Sequence, residues 1–483
     1  MLYCTGMRDQ VAPLLNKRFH TMKQLCSTRT LAVAGISILL AATMLFKRSS
    51  GAKQAELKKN VLYYYTQGVT KYQIHEYTAF VENLEAAVSL APNNPKMMFT
   101  LARACALKGQ KEAALTWLAR ALNLGYYFEL PGDPDFSCLR NLDAFGRIMK
   151  MVQERKTPVH NSEIAFCLAE KDLMPEGIAF DPVRETFYIG SYYKRKILSI
   201  AKDGCVNDFV TEGQDGLWNV AGIRVDAERR ILWINSAATG ELRLGVTGRP
   251  VESGVFAYDL DQKKFLKKYT PREIIADHAF NDMVVTSSGD LFVTDSLFGA
   301  VYRISRAKDS IEVFIKPKTF TYPNGIAISE NEQFLYVAHE EGISAIDLAT
   351  RSEVILTPPE AMTLCGIDGL YYHRGSLVAI QSDNWKGRII QFYLRPTTDP
   401  QKRPEKANKG GKYKAFPTHS ADCVAGWRII ESGNPIFEMP TTGVIVGNEF
   451  YYIANSQLNR LREGGEITSV DKLNSIYILR FGL

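Results

Sequence analysis

The stretch Met174-Pro-Glu-Gly-Ile-Ala-Phe-Asp181 presents a polar residue, Glu176, then a small residue and a short apolar run, and that shape returns five more times before the chain ends. The later copies are Ala221-Gly-Ile-Arg-Val-Asp226, Asn281-Asp-Met-Val-Val-Thr286, Asn324-Gly-Ile-Ala-Ile-Ser329, Asp368-Gly-Leu-Tyr-Tyr-His373 and Thr442-Gly-Val-Ile-Val-Gly447. Each is followed by a second extended run closing on a small polar pair: Tyr188-Ile-Gly-Ser191, Trp233-Ile-Asn-Ser236, Val293-Thr-Asp-Ser296, Val337-Ala-His-Glu340, Ala379-Ile-Gln-Ser382 and Ile453-Ala-Asn-Ser456. From the small residue to the end of that pair is 13 to 15 positions every time. A third run follows, as in Lys196-Ile-Leu-Ser-Ile200, Val255-Phe-Ala-Tyr258, Ala300-Val-Tyr-Arg-Ile304, Gly342-Ile-Ser-Ala-Ile346, Arg388-Ile-Ile-Gln-Phe392 and Ser475-Ile-Tyr-Ile-Leu479. Six repeating four-stranded units describe a mainly β chain folded as a six-bladed β-propeller, here expected over residues 162–483.

Closure supports the same conclusion. The sixth unit runs out after its third strand, with only Arg480 to Leu483 left, while Ile164-Ala-Phe-Cys-Leu168 stands unassigned before Glu176. That segment can supply the missing fourth strand, so the ring is expected to close without a free edge. Ala237 to Ser253 reads as a long loop between the second and third strands of blade two. Pro396 to Pro417, rich in Lys, Pro and Gly, reads as a disordered basic insertion between the third and fourth strands of blade five.

Upstream, over residues 55–155, apolar residues fall at helical spacing and the chain repeats itself. Leu84-Glu-Ala-Ala-Val-Ser-Leu-Ala-Pro92 aligns with Leu118-Ala-Arg-Ala-Leu-Asn-Leu-Gly-Tyr126 at an offset of 34 residues, the tetratricopeptide period. Pro92-Asn-Asn-Pro95 and Lys108-Gly-Gln110 break the helices where such repeats need breaks. The segment resembles two tetratricopeptide repeats followed by a capping helix, Leu139 to Glu154, serving either as a spacer or as a platform for a protein partner. Residues 1–29 form a basic N-terminal segment leading into 30–46, seventeen residues without a charge closed by Lys47-Arg48. As a helix that run spans about 25 Å, just short of a ~30 Å hydrocarbon core. A single-pass membrane anchor is the expectation, with a signal-peptide core and a secreted or periplasmic product as the alternative.

The 483 residues exceed one ordinary core. A net charge of +6 is modest for that length, and no basic stripe interleaved with aromatics marks a nucleic-acid surface. The eight cysteines are scattered singly, without the paired spacing of a zinc ribbon or a disulfide framework.

In a propeller the innermost strand of each blade begins beside the central channel. The residues opening the six copies, Glu176, Ala221, Asn281, Asn324, Asp368 and Thr442, therefore fall on one ring around the axis. Two carboxylates and two amide oxygens, from Glu176, Asp368, Asn281 and Asn324, suit a hard divalent cation, and calcium above magnesium because neutral oxygens and a wide ring fit its looser demands. Zinc is disfavoured because the ring holds no His or Cys. His278 and His339 are expected at the same end of the channel. His339 shares its column with Asn235, Asp295, Gln381 and Asn455, a polar rim able to orient a substrate.

Pro175-Glu-Gly-Ile-Ala-Phe-Asp181, Phe280-Asn-Asp282, Pro323-Asn-Gly-Ile-Ala-Ile-Ser329 and Gly366-Ile-Asp-Gly369 resemble, in order, the motifs of the senescence-marker-protein and gluconolactonase family of regucalcin-like propellers, and more distantly those of diisopropylfluorophosphatases and paraoxonases. The resemblance spans 162–483 and implies that Glu176, Asn281, Asn324 and Asp368 surround a catalytic calcium or other divalent ion. It implies hydrolysis of lactones, aryl esters or organophosphates. Sugar-lactonases of the group place an Arg two residues before the first Asn, where this chain has Ala279, so sugar-acid lactones are not the implied substrates. The expected mechanism is Lewis-acid hydrolysis with Asp368 as general base or nucleophile. Two competing expectations remain: a binding module in which the ion only stabilises the ring, since fold alone does not imply activity, and a metal-free synthase-like propeller.

Overall fold

The computed structural model describes residues 59–128, 130, 132–237, 253–271, 278–382, 386–395, 423–462 and 465–483. Six four-stranded antiparallel sheets account for all 24 of its strands. Blade one is Pro175–Asp181, Thr186–Ser191, Lys196–Ile200 and Val206–Val210, and blade two is Asn219–Asp226, Ile231–Ala237, Gly254–Asp259 and Lys264–Tyr269. Blade three is Phe280–Val285, Leu291–Asp295, Ala300–Ser305 and Ser310–Ile315, and blade four is Ile326–Ile328, Phe334–His339, Gly342–Asp347 and Glu353–Ile355. Blade five is Ile367–His373, Ser376–Gln381, Arg388–Leu394 and Val424–Ser432. Blade six takes Gly443–Val446, Glu449–Ile453 and Ile476–Gly482 from the end of the chain and Glu163–Leu168 from before blade one. The last pair runs antiparallel with Leu168 opposite Ile476 and Ile164 opposite Leu479, which is the closure expected from the sequence.

The inner strands have small or apolar residues where neighbouring blades press together, and the cores between blades are made of their side chains, such as Ile178, Ile189 and Ile453 between blades one and six. The first hairpin of each blade turns through a left-handed residue: Glu185, Arg230, Gly289, Glu332, Arg374 and Gly447. Buried Asp181 is held by Arg230 of the next blade through two bonds of 2.7 Å, so adjacent blades are tied by a fork-to-fork ion pair as well as by apolar contact.

Before the propeller come the helices Val61–Gln73, Tyr77–Leu90, Pro95–Leu107 and Lys111–Asn123, two antiparallel hairpins, and then Asp143–Arg155. Leu84 and Leu118, the matched residues of the 34-residue offset, are both fully buried in one apolar cluster with Phe80, Leu101 and Leu122. The last helix starts at Asp143 rather than at Leu139, because Pro134–Leu139 forms a separate 3-10 turn that lodges Leu139 in the helical core.

The helical hairpins are seated on the propeller. Asn94 caps its helix by accepting from Lys96 and Met97 N–H groups, and its Nδ2 donates to both the backbone oxygen and Oε2 of Glu340 at 2.9 Å. Thr363 donates its hydroxyl to the backbone oxygen of Asn93, and its N–H to that of Leu124. Fully buried Arg388 donates to the backbone oxygen of Gly125 at 2.6 Å and stacks over Tyr127. The turn Pro92 to Pro95 is thus a docking edge as well as a helix break.

The long loop of blade two and the basic insertion of blade five fall between the strands expected to flank them, but their residues 238–252 and 396–422 lie outside the described residues. So does the apolar run 30–46. Among the described residues no helix is long and apolar enough to cross a membrane.

Candidate active site at the mouth of the channel

Contacts between successive inner strands trace the ring. A methyl group on Gly177 would lie 2.4 Å from the backbone oxygen of Ala221, one on Gly222 would lie 2.5 Å from that of Asn281, and one on Gly325 would lie 2.5 Å from that of Asp368. Thr294 donates to the backbone oxygen of Asn324 at 2.8 Å, and Thr442 donates to that of Glu176, closing the circle. At Gly177, Gly222 and Gly325 the residue is a glycine because the next blade's first strand passes directly over it.

Within this ring Asn324 Nδ2 donates to Asp368 Oδ1 at 2.8 Å, and Ser382 Oγ donates to Asp368 Oδ2 at 3.2 Å. That arrangement leaves Asn324 Oδ1 as the remaining oxygen of the amide, and among the described residues it is buried without a donor, as is Glu176 Oε2. Two buried acceptors with nothing to accept from are costly. Burial first, and the nearby charges of Asp368 and Asp282 next, push the Glu176 carboxyl well above its ordinary range. Glu176 and Asp368 cannot both be comfortably ionised here without a compensating cation. At Asn281 the backbone oxygen accepts from Asn235 Nδ2 at 2.9 Å, and the side-chain Nδ2 donates to Ser296 Oγ at 3.2 Å. The donor set of carboxylate and amide oxygens with orphaned acceptors fits a calcium-like ion. Among the described residues no three His, Cys, Asp or Glu side chains gather around one point, so such an ion would rest on two carboxylates and on amide oxygens.

Deeper along the axis the channel is filled by a polar layer. Arg224 of blade two pairs with buried Asp282 at 3.2 Å, donates to the backbone oxygen of Met283, and lies 5.2 Å from the ring centre of Tyr371. Tyr371 belongs to blade five, opposite blade two, so this contact crosses the axis. The candidate site is therefore closed from below by charge already paired.

The expected rim residues are used in bracing. Asp295 accepts from His278 Nδ1 at 2.6 Å and from the Ala279 N–H, and His278 stacks on Phe280 with its Nε2 buried and unpartnered among the described residues. His339 Nδ1 meets Glu341 Oε2 at 2.7 Å and its Nε2 meets Ser344 Oγ at 2.8 Å. Gln381 accepts from Arg388 and donates to the backbone oxygens of Thr363 and Cys365, and Asn455 bridges Ser475 and Tyr477. These side chains sit where a second strand ends, and the loops arriving there need their backbone groups satisfied.

One residue beside the ring escaped the sequence reading. Burial, then Tyr192, Asp368, Glu176 and Glu340 around it, hold the Tyr322 phenol above its ordinary range. Its signal was only positional, two residues ahead of Asn324.

Neither protein-family models nor curated proteins give a match to the chain. Among solved structures it is similar to a gluconolactonase from Xanthomonas campestris, at 14% identity and a TM-score of 0.43, with 67% of this chain and 96% of that one covered. It is also similar to a calcium-binding protein, regucalcin, from Agrobacterium tumefaciens, at 12% identity, TM-score 0.44, covering 67% and 94%. A virginiamycin B lyase from Staphylococcus aureus gives 15% identity, TM-score 0.41, covering 66% and 98%.

Proposed function

We propose that the chain is a calcium-preferring, metal-dependent hydrolase acting on lactones, aryl esters or phosphotriesters at the mouth of the channel. The observation that carries this is the pair of buried acceptors, Glu176 Oε2 and Asn324 Oδ1, left without donors beside Asp368. When bound, the ion polarises a carbonyl or phosphoryl oxygen. Asp368 is oriented by Asn324 and Ser382 and acts as general base toward the attacking water. Glu176 contributes charge, and Asn281 completes the oxygen set. Ala279 stands where sugar-lactonases of the resembled group place an Arg, so sugar-acid lactones are not the favoured substrates. The helices are taken as two tetratricopeptide-like repeats with a capping helix, and 30–46 as an anchor holding the enzyme on a membrane.

A second reading, a calcium-stabilised binding module, is favoured by the internal pairing of Asp295, His339, Gln381 and Asn455, which leaves little of the rim for a substrate. Turnover of δ-valerolactone, phenyl acetate and triphenyl phosphate, with and without chelator, in wild type and Asp368→Asn, separates the two. Calcium-dependent turnover lost in Asp368→Asn supports the hydrolase. A melting temperature that falls with chelator, with no turnover of any substrate, supports the module.

A further inference from the structure

In blades one, two, three and five the ring residue falls where the first strand slips register against the second. Glu176 lies between Pro175 and Gly177, Ala221 between Val220 and Ile223, Asn281 between Phe280 and Met283, and Asp368 between Ile367 and Leu370. The ladder does not hold a residue in such a bulge, so what flanks it aims it. Ahead of Asp368 that flank is fastened to the helical unit. Buried Thr363 donates its hydroxyl to the Asn93 backbone oxygen at 2.9 Å and accepts there from the Cys365 N–H at 3.0 Å. Its own N–H donates to the Leu124 backbone oxygen at 3.1 Å, and its backbone oxygen accepts from Gln381 Nε2 at 3.1 Å. Gln381 stands opposite Ile367, and its Nε2 also donates to the Cys365 backbone oxygen at 2.9 Å. Its Oε1 accepts from Arg388, which reaches on to Gly125. Two turns of the helical unit, at Asn93 and at Leu124-Gly125, thus bear on the segment 363–367, directly or through Arg388 and Gln381.

We propose that the helical unit positions Asp368 through Thr363 and Gln381, so that seating of the helices and binding of an ion in the ring support each other. This rests on the reading that the ring holds a divalent ion, and not on hydrolysis. Thr363 and Gln381 are positioning residues, acting through the backbone that leads into the bulge. The coupling is reciprocal: an ion that selects one placement of Asp368 favours the seated helices by the same free energy with which seating favours the ion.

The test uses the full chain with calcium alone as the probe, in wild type, Thr363→Val and Thr363→Ser. Valine keeps the shape of threonine and removes the bonds to Asn93 and Cys365; serine keeps the hydroxyl. Calorimetric titration is expected to show calcium binding weakened about 10-fold in Thr363→Val and restored in Thr363→Ser. Hydrogen exchange on wild type supplies a second measurement that needs no variant to fold. Calcium is expected to slow exchange at the Thr363 N–H and in Lys111–Asn123, and to lose that effect on the helix in Thr363→Val. Wild-type calcium affinity in Thr363→Val overturns the proposal and leaves the ion site standing. So does equal weakening in the valine and serine variants, or helix exchange in wild type that is indifferent to calcium. A wild type that binds no calcium overturns the ion reading itself, and this proposal with it.

Discussion

Asn324 and Asp368 meet across the boundary between blades four and five, with the amide Nδ2 donating to the carboxylate at 2.8 Å and Asn324 Oδ1 left buried without a partner among the described residues. Asn324→Asp would set a second carboxylate against Asp368. In chelator the variant is expected to lose about 1 to 3 kcal/mol, and in excess calcium to regain it, so its calcium-induced rise in Tm exceeds that of wild type. Scanning calorimetry with and without calcium checks this, and equal rises in the two proteins would mean that no ion sits between these residues.

Glu176 gives a pH dependence whose sign is fixed. Its carboxyl in the folded protein is raised well above the ordinary value of 4.5, by burial and then by Asp368 and Asp282. Above that ordinary value the unfolded chain ionises while the folded chain keeps its proton, so stability falls as pH rises until the folded group also ionises. Calcium-free protein is therefore expected to lose Tm on going upward from the ordinary glutamate range. Calcium, which holds the ionised form, should flatten the slope, and Glu176→Gln should flatten it without calcium. A slope unchanged in Glu176→Gln would assign the effect to another group.

The blades were legible because each repeats the same physical problem. An inner strand needs a small residue where its neighbour crosses over it, as at Gly177, Gly222 and Gly325, and that requirement leaves a mark in sequence. The ring followed from the same register, and Glu163–Leu168 was legible because the sixth blade lacked a strand. The rim was not. Asp295, Gln381 and Asn455 occupy equivalent positions in sequence, but the loops they brace differ from blade to blade, and only coordinates show which backbone groups they satisfy. The seating of the helices was equally hidden, since Asn94 and Glu340 are 246 residues apart and nothing local in either segment names the other.

The glycines after the ring residues provide a test of packing independent of chemistry. In Gly325→Ala the new methyl group would meet the Asp368 backbone oxygen at 2.5 Å and the Leu370 nitrogen at 2.7 Å, atoms that cannot swing aside. A loss of about 1 to 3 kcal/mol is expected. Gly426, in the outer strand of the same blade five, has nothing within 4 Å of its added carbon, and Gly426→Ala should change stability by less than about 0.5 kcal/mol. Denaturant titration of the pair decides it, and similar losses at both sites would contradict the tight crossing of inner strands.

Arg388 is a buried tie between helices and propeller. The residue is 1% exposed, and its guanidinium donates to Gln381 Oε1 and to the Gly125 backbone oxygen at 2.6 Å each, approaches Met362 sulfur, and lies over Tyr127. Among the described residues no carboxylate is one of its hydrogen-bond partners, and burial lowers its pKa to about 10, with Tyr127 opposing the shift. Arg388→Ala would remove the bonds to Gln381 and to the Gly125 backbone oxygen and leave a void beneath Tyr127, a loss of about 3 kcal/mol. Because the partners on one side are helical, the loss should be uneven: hydrogen exchange followed by mass spectrometry is expected to show faster exchange in Tyr77–Leu90, Pro95–Leu107 and Lys111–Asn123, with blades one to three unchanged. Arg388→Met, which retains apolar volume and leaves out the buried charge, should recover part of the stability but not the protection at Gly125. Uniform acceleration across all blades would show instead that Arg388 supports the propeller alone.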